Sequence, residues 1–309
     1  MTPDVSVIIV NYNTSALIAD CLRSIFHLTK GITFEIIIAD NNSEKDLELK
    51  LRSSVGDIGN HCVKYLLLPE NIGFGRANNE GWKMAQGRNI LFLNPDTILI
   101  NNAIKILSDF LDSNNKAGAC GGNLYDAAGN PTLSFRRWLP GWLWETDELF
   151  NTIPQRLVYG NKRLFNPTDR PLRVAYITGA DLMVKKEVLA LTDGFHKDFF
   201  MYYEETDLCA RIKKHGWKIF NVPEAKIIHL EGGSFGSKTE YPKEHKIQWL
   251  ENGRKIYYKN NCSVIYSKTA DLIYSLYLSS RIWLVKNQEK KNYYRKRKEY
   301  FNSHDNDIA

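Results

Sequence analysis

Four short runs of β-branched and apolar residues, Val5–Val10, Phe34–Ala39, Val63–Leu68 and Asn89–Leu93, constrain this chain more than any other feature. None alternates with polar residues, so each reads as a strand buried on both faces, as in a central parallel sheet. Helical stretches lie between them. Leu17, Ile18, Cys21, Leu22 and Ile25 recur at helical spacing behind a cap at Thr14 or Ser15, and a helix over Gly75–Gln86 is closed by Gly87. Alternating strands and helices predict an α/β fold with a mostly parallel, doubly wound sheet. Ligands in such sheets sit beyond the carboxyl ends of the strands, and Asn11, Asp40, Asn71 and Asp96 all lie just past strand ends.

Between residues 125 and 172 the pattern loosens: Trp138, Trp142, Trp144, four prolines and Arg136-Arg137 show no clear period. A long irregular insert of this kind is expected to cover a substrate. Strands are expected again at Val174–Ile177, Leu182–Val184, Lys218–Val222 and Lys226–Leu230, with a helix at Glu204–His215 stopped by Gly216. The five cysteines are widely spaced with no C-x-x-C, which argues against a disulfide framework or zinc knuckle and for a reducing compartment. The N-terminus, MTPDVSVIIVNYN, lacks a basic leader and reads as a strand and not a signal peptide. No run of about 18 apolar residues occurs, so no segment is expected to span a bilayer. The net charge of +6 is local, because seven Lys/Arg against two Glu between Lys286 and Tyr300 give +5 of it. That pattern disfavours nucleic acid and leaves an anionic lipid surface or a solvated tail.

Four constellations carry possible chemistry, each beside a plainer reading. Gly73-Phe-Gly75-Arg-Ala-Asn78 approaches a dinucleotide fingerprint, but it does not follow the first strand and its third glycine is Asn78. It reads better as a turn into a helix that could also admit a diphosphate. Asp96, beside Asn94 and Pro95, is either a helix cap or a hard-cation ligand. Glu204-Glu205-Thr206-Asp207 either compensates a helix dipole or supplies a general base, since adjacent carboxylates raise one another's pKa. His229 is either an ordinary strand-end histidine or a ligand better suited to Mn²⁺ than Mg²⁺.

Together these segments resemble the family-2 inverting glycosyltransferases, particularly their rhamnosyltransferase-like branch. The resemblance runs in order through Val5–Asn13, Asp40-Asn-Asn-Ser43, Asn71-Ile-Gly-Phe-Gly, Asn94-Pro-Asp-Thr97, Thr178-Gly-Ala180, Glu204–Asp207 and His229-x-x-Gly232. It implies the GT-A fold, a nucleotide-diphosphate-sugar donor (dTDP- or UDP-linked) and a divalent cation, Mg²⁺ or Mn²⁺. Asn11, Asn13, Asp40, Asn71, Gly73, Asn79 and Asn94 would then line the donor pocket, and Asp96 and His229 would hold the metal. Glu205, with Glu204 and Asp207 beside it, would supply the base, and Gly179, Ala180 and Asp181 would lie on the acceptor side. Three departures stand out: Glu205 where the family commonly has aspartate, Gly194-Phe-His-Lys-Asp198 where it often has Gly-x-Phe-Asp-Glu, and a single acid in Asn94-Pro-Asp96.

The implied layout is a glycosyltransferase domain over 1–238, with a nucleotide half at 1–124 and an acceptor half at 125–238. A helical, basic extension follows at 239–309. The implied acceptor is a cell-envelope glycan, free or lipid-linked. A sugar-phosphate nucleotidyltransferase would need an arginine-containing glycine loop after the first strand, where this chain has Asn11-Tyr-Asn-Thr14. A non-catalytic sugar-binding relative would not need Asp96, Glu205 and His229. In the extension, a helix over Thr269–Val285 would align Leu272, Leu276 and Trp283 on one stripe, followed by Lys286–Lys298. An apolar face beside a polybasic cluster predicts peripheral attachment to the cytoplasmic face of a membrane.

Overall fold

The computed structural model describes residues 2–44, 49, 53, 62–230 and 244–303. Strands β1 (Val5–Asn11), β2 (Phe34–Asp40), β3 (Val63–Leu67) and β4 (Asn89–Leu93) pair in parallel in the order β3-β2-β1-β4. The register sets Val5 opposite Phe34 and Asn11 opposite Asp40, so both polar residues emerge at one level of the sheet edge. Successive side chains enter opposite cores. Val7, Ile9, Ile36 and Ile38 meet helices α1 (Ser15–Leu28) and α3 (Ala103–Ser113), whereas Ile8, Ile37, Ile90 and Phe92 face the other side. Between these helices in sequence, α2 (Phe74–Lys83) follows β3.

The second half of the sheet is mixed. β5 (Thr97–Leu99), β6 (Ala117–Tyr125), β8 (Leu172–Val174), β10 (Asp181–Lys185) and β11 (Lys218–His229) continue it, while β7 (Phe135–Arg136) and β9 (Tyr176–Ile177) form a separate ribbon. β10 lies antiparallel between β4 and β6, so its first residue, Asp181, faces Leu93 at the end of β4. The two strands expected at Lys218–Val222 and Lys226–Leu230 are one element, bulged between Asn221 and Lys226 around Pro223, which has no N–H to donate. Past the bulge β11 pairs antiparallel with β5 and delivers His229 opposite Thr97.

The stretch expected to be irregular contains two helices, α4 (Trp142–Leu149) and α5 (Ile153–Tyr159), then a 3-10 turn at Gly160–Arg163. The remaining helices are α6 (Lys186–Thr192), α7 (Glu204–Lys214), α8 (Glu244–Asn261), α9 (Val264–Leu284) and α10 (Gln288–Asn302). Gly232 of the His229-x-x-Gly232 pattern and the boundary near 238 lie outside the described residues.

α9 docks through Ala270, Tyr274, Tyr277 and Leu278 against α4, α8 and α10. Ile265, Leu272, Leu276 and Trp283 lie on the opposite side, 53–82% exposed, at offsets of 7, 11 and 18 residues that bring a helix back to one stripe. Docking therefore uses the face opposite the apolar stripe. A buried ionic network fastens these helices: Arg254 donates to Glu145 at 3.0 Å and to Asp271 at 2.7 Å, and Arg297 to Glu251 at 2.5 Å. Of the seven basic residues near the end, Lys296 pairs with Glu244 and Lys298 bonds the Ser279 hydroxyl. With Arg297 also engaged, Lys286, Lys290, Lys291 and Arg295 are the members of the cluster with neither an ion pair nor a hydrogen bond to another helix among the described residues.

Candidate active site

The carboxyl ends of β1 and β2 form one polar network. Asn11 Nδ2 donates to Asp40 Oδ2 at 2.5 Å and to Ser43 Oγ at 3.1 Å, and Asp40 Oδ1 accepts from Ser43 N at 2.8 Å. Asn13, at φ 58°, accepts from the Glu44 amide and takes Ser43 Oγ as acceptor for its own N–H. Asn71 joins through Asn41, whose Nδ2 donates to Asn71 Oδ1 at 2.8 Å while its Oδ1 accepts from Ile72 N. Asn41 was visible in the Asp40–Ser43 segment but was not singled out. Asp40 is 4% exposed with both oxygens engaged, so it braces the carboxyl edge of the sheet.

Gly73 has φ 88°, and a Cβ there would sit 2.4 Å from the Phe200 carbonyl oxygen. The missing side chain admits another stretch of protein backbone, to which Phe74 N also donates at 2.9 Å. Asn79 stands apart from the network. Its amide donates to Phe195 O at 2.7 Å and accepts from Phe195 N at 2.9 Å, holding the Gly194-Phe195 segment on α2.

The antiparallel insertion of β10 joins two further segments, because Asn94 N donates to Ala180 O at 2.9 Å. β11 adds His229, whose Nε2 lies 3.3 Å from Asp96 Oδ1 and 3.3 Å from Asn94 Nδ2. Asp96 Oδ1 and Asn94 Oδ1 are buried with no hydrogen-bond partner. Two orphaned buried oxygens beside an imidazole nitrogen suit a divalent cation, since buried polar atoms otherwise find partners. No group of three His, Cys, Asp or Glu gathers among the described residues, so the other ligands would be waters and substrate oxygens. A cavity of about 270 Å³, lined by Asp126, Thr132 and His229 among others, opens beside this pair.

The three acids of α7 have separate environments. Asp207 is wholly buried, with Oδ2 accepting from Arg211 Nε at 2.7 Å and Oδ1 from Asn261 Nδ2 at 2.6 Å. Glu204 is buried against Gly75, and its Oε2 has no partner. Burial and the neighbouring Glu205 charge push the Glu204 carboxyl well above the usual range. Glu205 is partly exposed, with Gly179 beside its side chain and a long 3.4 Å bond from Thr206 Oγ1. Burial raises its carboxyl too. Glu205 thus lies beside Gly179, and the next residue, Ala180, bonds the backbone of Asn94, which sits with Asp96 at His229. Asp181 is fully buried, and its Oδ2 accepts from Gly122 N at 2.5 Å between β10 and β6.

The model of "Glycosyl transferase family 2" matches residues 6–177. An N-acetylglucosaminyl-diphospho-decaprenol L-rhamnosyltransferase of Mycobacterium tuberculosis is 26% identical over 257 residues, covering 76% of this chain and 79% of that protein. A low-salt glycan biosynthesis hexosyltransferase of Haloferax volcanii is 24% identical over 299 residues, covering 92% and 84%. Among solved structures, GalNAc-T7 with UDP, GalNAc and Mn²⁺ superposes with a TM-score of 0.62 at 16% identity, covering 96% of this chain and 55% of that one. That likeness shows a GT-A-like α/β fold, to which this chain adds a C-terminal helical region.

Proposed function

This chain belongs to glycosyl transferase family 2, and from that premise we propose that it is an inverting, metal-dependent glycosyltransferase of cell-envelope glycan synthesis. It is a nucleotide-sugar-dependent transferase of the GT-A superfamily; the inversion, the metal and the acceptor are our reading. The observation that carries this reading is the accessibility of Glu205 among three acids of which the other two are buried. A single carboxylate that takes the acceptor proton while the hydroxyl attacks from the face opposite the leaving diphosphate gives one displacement and inversion. Asp96 and His229 would hold Mg²⁺ or Mn²⁺, which supplies charge neutralisation for the departing diphosphate. Asn11, Asn13, Asp40 and Asn71 shape the donor pocket, residues 125–238 form the acceptor side, and Asp207 braces α7 through Arg211 and Asn261. L-Rhamnose on dTDP and a hexose on UDP both suit the residues, and the rhamnosyl- and hexosyltransferase relatives support one each. A panel of nucleotide sugars tested by thermal melting separates them: one donor should raise the melting temperature only with Mn²⁺ or Mg²⁺ present. Equal response to every nucleotide, with or without metal, would refute the reading.

The raised carboxyls give a pH test. The fold favours their neutral forms, so the stability they contribute is complete below the ordinary carboxylate range and is lost as pH rises through the raised values. Glu204→Gln keeps the shape of a side chain whose neutral form the fold already favours and removes the cost of ionising it. The variant should resist heating better than wild type as pH rises, while the acid limb of its pH–rate profile stays in place, because burial and not Glu204 raises the Glu205 carboxyl. A limb that moves with this substitution would mean that Glu204 and not Glu205 carries the proton.

No helix among the described residues is long and apolar enough to cross a membrane. The outward stripe of α9, followed by Lys286, Lys290, Lys291 and Arg295, supports peripheral attachment to an anionic bilayer, at the cytoplasmic face where sugar nucleotides are made. Four unpaired bases at about 1 kcal/mol each suffice only together with the apolar stripe. Serine at Leu272, Leu276 and Trp283 together should abolish co-sedimentation with phosphatidylglycerol vesicles, and high salt should weaken the wild type. Undiminished sedimentation of the triple variant would refute the attachment.

A further inference from the structure

The chain enters α7 through a strained step. Tyr202 and Tyr203 stand at φ 70° and 71°, a left-handed conformation that large side chains rarely adopt. Glu204 and Glu205 follow directly, and Tyr203 O accepts the opening bond of the helix, from Asp207 N at 2.8 Å. Tyr203 caps α7 without any side-chain hydrogen bond of its own. Strain of this kind persists only where the surroundings over-determine it, and it gathers at active sites.

One stripe of α8 supplies that constraint. Trp249, Gly253, Tyr257 and Asn261 recur every four residues, which keeps them on one side of a helix. Their partners run in chain order along the step. The Trp249 and Phe200 ring centroids are 4.9 Å apart, Gly253 backs onto Tyr202, the Tyr257 and Tyr203 centroids are 5.9 Å apart, and Asn261 bonds Asp207 at 2.6 Å. Gly253 makes the closest approach. A Cβ there would sit 2.6 Å from the Tyr202 carbonyl oxygen and 3.2 Å from the Tyr203 ring, and a backbone carbonyl cannot turn aside as a flexible side chain could. Glycine in the middle of a helix is less stable than alanine, so its place in α8 answers to this contact.

The same segment is gripped from its other side. Phe74 N donates to Phe200 O, and Gly73 leaves room for that carbonyl, so the turn into α2 and the step into α7 are joined at one backbone oxygen. We propose that Gly253 is a positioning residue: through the Tyr202-Tyr203 step, α8 fixes the direction in which α7 starts, and with it the place of the Glu205 carboxylate beside Gly179 relative to the turn at Gly73. The proposal rests on the reading of Glu205 as the base and adds what aims it.

Gly253→Ala in the full chain tests it. The methyl group must displace the Tyr202 carbonyl, so kcat should fall by about 10²-fold, the scale of a misplacement of about 1 Å at a reacting group. KM for the donor and the affinity for UDP or dTDP with Mn²⁺ should match wild type, because the Asn11–Asp40 hydrogen bond is untouched. The acid limb of the pH–rate profile should shift, since burial sets the Glu205 carboxyl. Trp249→Leu slackens the same grip without a clash and should give the same pattern to a smaller degree. A glycine that only spaces two helices predicts the reverse: the kcat and pH profile of wild type, with a higher melting temperature from the better helix former. Wild-type kcat in folded Gly253→Ala overturns the proposal; if that variant does not fold, wild-type kcat in Trp249→Leu does so. A loss that appears in donor KM with kcat unchanged overturns it too. Were Glu205→Gln to keep full activity while Gly253→Ala lost it, the grip on α7 would stand and the base assignment would fall.

Discussion

Replacing Glu205 by glutamine is expected to lower turnover by about 10²–10⁴-fold, the usual contribution of a positioned general base. Donor affinity should be unchanged, because the substitution keeps the shape of the side chain and touches none of the Asn11–Asp40 hydrogen bonds. A lost transition-state interaction appears in kcat and in kcat/KM together, with KM for the donor little altered. Asp207→Asn is the control. Its carboxylate is paired with Arg211 and Asn261, so the variant should lose stability while keeping its pH profile. If Asp207→Asn is dead when folded and Glu205→Gln remains active, the roles are reversed.

Asp96→Ala should cost about 10³-fold in transfer, the scale set by removing a preorganised electrostatic partner from a developing charge. Its clearer signature is in binding. Calorimetry of the wild type should show the nucleotide binding more tightly with Mn²⁺ than without, and in the variant that difference should vanish. His229→Ala should reduce the same difference without removing it, because a neutral imidazole offers the cation less than a carboxylate does. An unchanged metal titration for Asp96→Ala would sink the assignment. The backbone of Asp96, which accepts from Leu230 N at 3.0 Å, is untouched by the substitution, so β5 and β11 should stay joined.

The parallel half of the sheet was legible because buried strands such as Val5–Val10 and Phe34–Ala39 carry an unbroken apolar run, and their in-register pairing alone sets Asn11 beside Asp40. β6 was missed for the opposite reason: Ala117–Tyr125 contains Gly118, Gly121 and Gly122 and shows neither period. Those glycines answer to neighbours remote in sequence; a Cβ at Gly122 would lie 2.5 Å from the Ala225 carbonyl oxygen. α4 and α5 were hidden because much of their apolar surface faces outward, which blurs the alternation that marks a helix. In the site, motif positions at strand ends announced themselves. The separate environments of Glu204, Glu205 and Asp207 did not, because Arg211 is local to Asp207 while Asn261 lies 54 residues away.

That contact has a bearing on how the enzyme comes into being. The chain emerges from the ribosome N-terminus first, and the sheet with its donor-side residues can assemble from what is already out. The Asp207 carboxylate keeps one acceptor oxygen open until Asn261 arrives, and Arg254, needed beside Glu145, arrives on the same late helix. A nascent chain that lacks this helix would carry Asp96 and His229 on a formed scaffold with the helix bearing Glu205 only loosely seated. Completion of α7 is thus coupled to the synthesis of α8, and a pulse of hydrogen exchange on stalled chains would find α7 protected only after α8 has cleared the exit tunnel.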